Sequence, residues 1–308
     1  MDVLWKGVYP ALTTKFDKNE EPDYGLFVKN LLTQLDAGVH GIILGGTLGE
    51  ASTLTGEEKE RLVSISLETS DKRVPVILNI AEGSTREAVH QAKLASKWGA
   101  DGLMLLPPMR YKADERECTA YFMAVANATD LPVMIYNNPV DYKVEVTPAM
   151  FERLMVCPNI LAVKESTRDV SNVTRLKSLF GDRLKVLCGV DTLAMESLVM
   201  GADGWVAGLV CAYPYETMAV YDLVRMGRYD EAREIYRWFL PLLELDIHPK
   251  LVQYIKLAEQ MEGLGSEYVR SPRLTLLGEE RDRVLSVIEK AKTGRPDLKK
   301  INLKNRSV

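Results

Sequence analysis

Apolar residues along this chain follow two patterns: short continuous runs, and longer stretches in which they recur at every third or fourth position. The two alternate. Continuous runs predict strands buried on both faces, and the recurring positions predict amphipathic helices. One unit occurs three times, as Gly38-Val39-His40-Gly41-Ile42-Ile43-Leu44, Gly99-Ala100-Asp101-Gly102-Leu103-Met104-Leu105 and Gly201-Ala202-Asp203-Gly204-Trp205-Val206-Ala207. Each reads as a helix stopped by Gly and followed at once by a strand. Val74-Pro75-Val76-Ile77-Leu78-Asn79 and Leu131-Pro132-Val133-Met134-Ile135-Tyr136 place Pro at the start of a strand, where its missing N–H is tolerated. Val8 to Leu12, Ile160 to Val163 and Lys185 to Cys188 bring the total to eight candidate strands, with helical stretches such as Tyr24 to Ala37 and Arg86 to Trp98 between them.

Alternating strand and helix implies a parallel sheet. Eight such units fit a closed barrel, the (β/α)8 or TIM fold, whose usual size is about 250 residues. A doubly wound open sheet is the rival, and it fares worse. No G-x-G-x-x-G follows the first strand, and Gly45-Gly46-Thr47-Leu48-Gly49-Glu50 after the second has the wrong spacing. From Glu216 to Lys292 the pattern reads as helix throughout, with Gly227, Pro241, Gly263 and Gly265 as punctuation. The expected organisation is therefore a TIM barrel over residues 1–215 and a C-terminal helical extension with a polar tail over residues 216–308.

Composition narrows the function classes. With 46% hydrophobic and 27% charged residues over 308 positions, the chain has the material for a large core. Its 39 Lys and Arg against 43 Asp and Glu give a net charge of -4, which offers no basic footprint for nucleic acid, so no such partner is expected. No uncharged apolar run approaches the roughly 18 residues that span a bilayer, and no signal peptide is recognisable. Cys118, Cys157, Cys188 and Cys211 lack any C-x-x-C spacing and read as buried thiols of a reducing compartment, the cytoplasm. His40, His90 and His248 lie far apart, so no metal site is expected.

In a barrel of this kind, reactive groups stand at the C-terminal ends of the strands. Four clusters meet that condition: Gly45 to Glu50, Pro107-Pro108-Met109-Arg110-Tyr111-Lys112, Tyr136-Asn137-Asn138-Pro139 and Lys164-Glu165-Ser166-Thr167. Lys164 ends an apolar run, where desolvation disfavours its ammonium and frees the amine to attack a carbonyl carbon. Bringing its pKa from about 10.4 to about 7 takes roughly 4 to 5 kcal/mol of differential interaction. The competing reading pairs Lys164 with Glu165. Tyr136 can pass protons during carbinolamine formation and breakdown, or simply be a buried structural tyrosine. The glycine-rich Gly45–Glu50 segment and Thr47 suit an anion held by backbone amides; lacking Lys or Arg, they favour a carboxylate over a phosphate, unless the glycines serve only to make a turn. Arg110, Tyr111 and Lys112 are candidates for a second anionic group, or a solvated loop. Thr55 and Glu58 form a capping box, which is structural.

These residues carry a resemblance over nearly the whole chain. Gly46-Thr47-Leu48-Gly49-Glu50, Tyr136-Asn137-Asn138-Pro139 and Lys164-Glu165-Ser166, in this order, resemble the dihydrodipicolinate synthase and N-acetylneuraminate lyase superfamily. The resemblance implies a TIM barrel with C-terminal helices, a tetramer of identical chains, and a Schiff base with a 2-oxo acid formed without metal or organic cofactor. It makes Lys164 the Schiff-base lysine, Tyr136 the proton relay and Thr47 part of the catalytic carboxylate site. Gly46, Thr47, Leu48, Arg110, Tyr111 and Val206 are the implied substrate-binding positions.

The departures bear on the substrate. Leu48 stands where the synthase has a second Thr. Val140-Asp141-Tyr142-Lys143 stands where the synthase places an Arg for its aldehyde substrate's carboxylate, and Met109-Arg110-Tyr111 replaces its paired tyrosines. Together, Pro107-Pro108-Met109-Arg110-Tyr111-Lys112, Tyr136-Asn137-Asn138-Pro139 and His248-Pro249-Lys250-Leu251-Val252-Gln253-Tyr254 are similar to a subgroup associated with hydroxyproline breakdown. The resulting expectation is a Schiff-base lyase, deaminase or dehydratase, with 1-pyrroline-4-hydroxy-2-carboxylate as the leading substrate. The alternatives are a pyruvate-dependent aldolase or synthase-like condensing enzyme and, from another class, a barrel that only binds a metabolite.

Overall fold

The computed structural model describes residues 1–108 and 111–301. Eight strands run parallel: β1 (Gly7–Pro10), β2 (Ile42–Leu44), β3 (Val76–Ile80), β4 (Gly102–Leu105), β5 (Val133–Asn137), β6 (Ile160–Glu165), β7 (Lys185–Cys188) and β8 (Gly204–Ala207). Each pairs with its sequence neighbour, and β8 pairs with β1. A parallel bridge from Ala11 to Ile43 joins β1 to β2 and closes the ring, a (β/α)8 barrel. Nearly every strand residue is buried, which is why the runs read as continuously apolar.

Helices α1 (Tyr24–Ala37), α2 (Gly56–Ser70), α3 (Thr85–Lys97), α4 (Glu115–Ala126), α5 (Pro139–Tyr142), α6 (Pro148–Leu154), α7 (Ser171–Phe180), α8 (Ala194–Val199) and α9 (Pro214–Arg225) follow the strands. The extension holds α10 (Tyr229–Leu243), α11 (Leu251–Met261) and α12 (Gly278–Thr293). Two details depart from the sequence reading. The 215/216 boundary falls inside α9, the helix that follows β8 and packs on β1 and α1. Between α11 and α12 the chain is irregular rather than helical; Gly263 takes a φ of 70° that only Gly adopts without strain, and the Ser271–Pro272 bond is cis.

The threefold unit has a structural purpose at the N-terminal end of the barrel. Gly38 stops α1 at a φ of 86°, and its N–H reaches the Gln34 and Leu35 carbonyls. The third residue of each unit then accepts the N–H of a residue on a neighbouring strand or at its start. His40 Nδ1 takes it from Val8 at 3.2 Å, Asp101 Oδ2 from Val76 at 2.9 Å and Asp203 Oδ2 from Val186 at 2.8 Å. The Thr55–Glu58 capping box at the start of α2 is formed.

Candidate active site

A cavity of about 490 Å3 opens at the C-terminal ends of the strands. Its floor is set by the pairing of β5 with β6, which puts Tyr136 and Lys164 at partner positions. Partner residues of a parallel pair face the same side of the sheet, so both side chains enter the barrel. The Lys164 Nζ lies 4.2 Å from the centre of the Tyr136 ring. Strand β6 runs one residue past Lys164, and Glu165 turns to the opposite face. There its carboxylate accepts hydrogen bonds from Asn172 Nδ2 at 2.8 Å, Asn137 Nδ2 at 3.2 Å and the Thr167 N–H at 2.7 Å. The pairing of Lys164 with Glu165 is thus not formed.

Burial pushes the pKa of Lys164 down from its ordinary value, while Asp246, Tyr142 and Asp191 pull the other way. Space for the amine depends on Gly189 after β7, since a Cβ there would stand 2.6 Å from both Cγ and Cε of Lys164. Asp191 is fully buried and occupied: it accepts from Trp205 Nε1 and the Leu209 N–H, each at 2.8 Å, and from the Gly208 N–H. It anchors the turn after β8 and places one carboxylate near Lys164.

Tyr136 is held by Asn138, whose Nδ2 donates to the phenol oxygen at 3.1 Å and to Asp141 Oδ2 at 2.7 Å. Asn138 engages the phenol oxygen as a donor and so does not take the phenol proton. Burial raises the Tyr136 pKa, so the phenol keeps that proton at neutral pH. Tyr142 packs edge-on against Tyr136 at 5.4 Å and shares a 2.8 Å hydrogen bond with Thr47 Oγ1. Thr47 thus positions Tyr142, whose ring packs on that of Tyr136 beside Lys164.

Gly46, Thr47 and Leu48 line the same cavity. Neither the Thr47 nor the Leu48 N–H has an acceptor among the described residues, so two amides are open to a carboxylate beside the Thr47 hydroxyl that Tyr142 holds. Glu50, at the end of this loop, does not oppose an anion. It turns away to the extension, where it pairs with Lys256, both side chains fully buried.

Of the other positions read from the sequence, Val206 lines the cavity wall. Tyr111 does not: it is 56% exposed and lies outside the cavity lining, because the loop after β4 carries it to the surface. Arg110 lies outside the described residues. Sequence reasoning missed Tyr142, Arg168, Gly189 and Asp246, all of which line the cavity. Gly189 follows β7 and meets the same strand-end condition as the four clusters; Asp246, between α10 and α11, leaves no such signal. Among the described residues no cluster of metal-binding side chains occurs, and no helix is long and apolar enough to cross a membrane.

Comparison with known proteins agrees with this geometry. The chain is 34% identical over 277 residues to the 4-hydroxy-tetrahydrodipicolinate synthase of Exiguobacterium sibiricum, covering 89% of this chain and 92% of that one. It is 33% identical over 294 residues to the synthase of the same name from Geotalea daltonii, covering 94% and 99%. The crystal structure of dihydrodipicolinate synthase from Aquifex aeolicus superposes with a TM-score of 0.88 at 29% identity, covering 93% of this chain and 98% of that one. The model of the dihydrodipicolinate synthetase family matches residues 4–291, and the chain belongs to that family, whose enzymes are lyases that form a lysine Schiff base with pyruvate and use no external cofactor.

Proposed function

We propose that this enzyme is an aldolase-type lyase that binds pyruvate or a related 2-oxo acid as an imine on Lys164 and makes or breaks a carbon–carbon bond at the adjacent carbon. The observation that carries this reading is Lys164 itself, buried at the cavity floor with its pKa lowered and at the partner position to Tyr136. The neutral amine attacks the 2-oxo carbon while the substrate carboxylate rests on Thr47 and the amides of Thr47 and Leu48. Tyr136 donates its proton to the carbinolamine hydroxyl, which leaves as water. The iminium withdraws electrons from the neighbouring carbon, whose proton passes to the Tyr136 phenolate to leave an enamine; the enamine adds to an aldehyde, and Tyr136 returns the proton to the alkoxide that forms. Thr47 holds Tyr142 against the Tyr136 ring. The names of the relatives support the condensing direction.

A second reading is favoured by one specific observation. Asp141 stands where the resemblance to the synthase expects an Arg, and it is tied to Asn138 within the cavity lining. A single-substrate reaction needs no second carboxylate site. Deamination of 1-pyrroline-4-hydroxy-2-carboxylate fits: Lys164 adds to the ring imine, the amine is expelled, and loss of the 4-hydroxyl followed by hydrolysis yields 2-oxoglutarate semialdehyde and ammonia. Product analysis separates the two. Turnover of pyruvate with aspartate semialdehyde or a hydroxyaldehyde supports the first reading; ammonia release from the pyrroline without any condensation replaces it with the second.

The four cysteines, all buried and unpaired, support a reducing cytoplasmic location. A homotetramer is supported by the family resemblance.

A further inference from the structure

We propose that Asp246 is a specificity-determining residue: its carboxyl receives a hydroxyl or nitrogen of the substrate's distal half, so that the C-terminal extension sets what the cavity accepts beyond the 2-oxo acid. The inference rests on the Lys164 imine proposed above and concerns the other end of the same substrate.

Asp246 lies in the 3-10 turn Glu244–Ile247 between α10 and α11 and is half-buried, with its neighbours Ile247 and His248 also facing the cavity. Gly208, at the end of β8, admits it. A Cβ on Gly208 would stand 2.2 Å from Asp246 Oδ1, so any other residue there would push the carboxyl out. The carboxyl makes no hydrogen bond or ion pair with another described residue, in contrast to Asp191, whose oxygens are taken by three N–H groups. A partly desolvated carboxyl without a partner is costly to keep, which argues that a ligand supplies one.

The surroundings fix which ligand. Lys164, Asp191, Asp141 and Arg168 are the charged groups that act on Asp246. Once Lys164 is an imine and Asp191 is held by the backbone, the distal half of a substrate meets Asp246, with Asp141 and Arg168 both exposed at the rim. Burial and the nearby Asp191 raise the Asp246 pKa. A hydroxyl matches a group of this kind in either state. A second carboxylate meets the half-buried Asp246, and at the mouth the exposed Asp141 and Arg168 carry opposite charges, so no net positive site awaits it.

Borohydride trapping on the full-length enzyme tests this, because any 2-oxo acid that forms the imine is fixed on Lys164 whatever follows. Two six-carbon acids are compared, 2-keto-3-deoxygluconate with hydroxyls in its distal half and 2-oxoadipate with a carboxylate there. The wild type is expected to half-saturate with the hydroxylated acid at a concentration lower by about tenfold or more, and Asp246→Leu to bring the two within about twofold. Asp246→Asn, which keeps a hydrogen-bonding group but removes the charge, is expected to keep trapping the hydroxylated acid while 2-oxoadipate gains, so that the preference narrows; it gives the comparison should the Leu variant not fold, and an unchanged preference in it also overturns the inference. A wild type that traps 2-oxoadipate as readily as its partner overturns the inference, as does an Asp246→Leu enzyme with unchanged preference. Failure of the wild type to trap pyruvate at Lys164 is a different result and overturns the imine reading itself.

Discussion

Burial of Lys164 between β5 and β7 strips water from its ammonium and lowers its pKa, against the pull of Asp246, Tyr142 and Asp191. In the unfolded chain the same lysine holds its proton up to about pH 10.4. Between the lowered native value and that limit the unfolded state binds more protons, so this site's contribution to stability rises with pH. A Lys164→Met variant therefore melts above the wild type at neutral pH, and the gap narrows as pH approaches 10 in calorimetric scans; a gap independent of pH would contradict the assignment. Tyr136→Phe removes the proton that Asn138 leaves free and is expected to lower kcat by about 10²- to 10⁴-fold, measured by steady-state kinetics. Gly189→Ala puts a methyl against the Lys164 stem and is expected to abolish imine formation while leaving the far-ultraviolet circular dichroism unchanged. Lys164, Tyr136 and Thr47 were legible in the sequence because each stands just after an apolar run. Asp246 was not: Glu244-Leu245-Asp246-Ile247 reads as the polar edge of a helix, and only the packing of the extension over β8 brings it to the cavity.

At the scale of elements, the loop that offers its amides to a carboxylate is fixed from outside the barrel. Glu50 closes that loop in the left-handed conformation at a φ of 53°, and its carboxylate reaches Lys256 on α11 and the Arg270 N–H. Lys256 lies over the Phe16 ring at 4.5 Å with Arg270 at 4.4 Å on the same ring. Without Lys256 the fully buried Glu50 keeps, among the described residues, only the Arg270 N–H and the Arg273 guanidinium at 3.6 Å, so the cost stays below that of a wholly stranded buried charge, about 3–5 kcal/mol. Lys256→Met is thus expected to lower the urea midpoint, and adding Glu50→Met to restore much of it; equal loss in the single and double variants would show that the pair is not the cause. The strand runs and their glycine stops were legible because burial on both faces and the end of a helix both leave local marks. The irregular stretch from 262 to 277 was not, since its two glycines and Pro272 are scattered among residues that suit a helix face.

Across the whole molecule, barrel and extension share two fully buried ion pairs and a partly buried one. Lys15 on the barrel pairs with Glu259 on α11 at 2.6 Å, Thr13 donates to the same carboxylate, and Arg270 holds Glu58 of α2 by two 2.8 Å bonds. A chain cut at residue 215 would sever α9, bare these groups and lose Asp246, so it is expected to be insoluble, whereas the full chain unfolds in one transition seen alike by near- and far-ultraviolet circular dichroism. Two separate transitions would show the extension to be an independent unit. That the fold is a closed barrel was legible from the count of strands; how the extension meets it was not, because ion pairs more than 200 residues apart in the chain leave no periodic trace. The central claim is that the barrel places one nucleophilic amine, that of Lys164, under a 2-oxo acid. Incubation of the full-length enzyme with pyruvate and borohydride, followed by peptide mass spectrometry, tests it most directly. One reduced pyruvate on the peptide containing Lys164, absent from a Lys164→Ala variant, is the predicted result; an unmodified Lys164, or label on another residue, would contradict it.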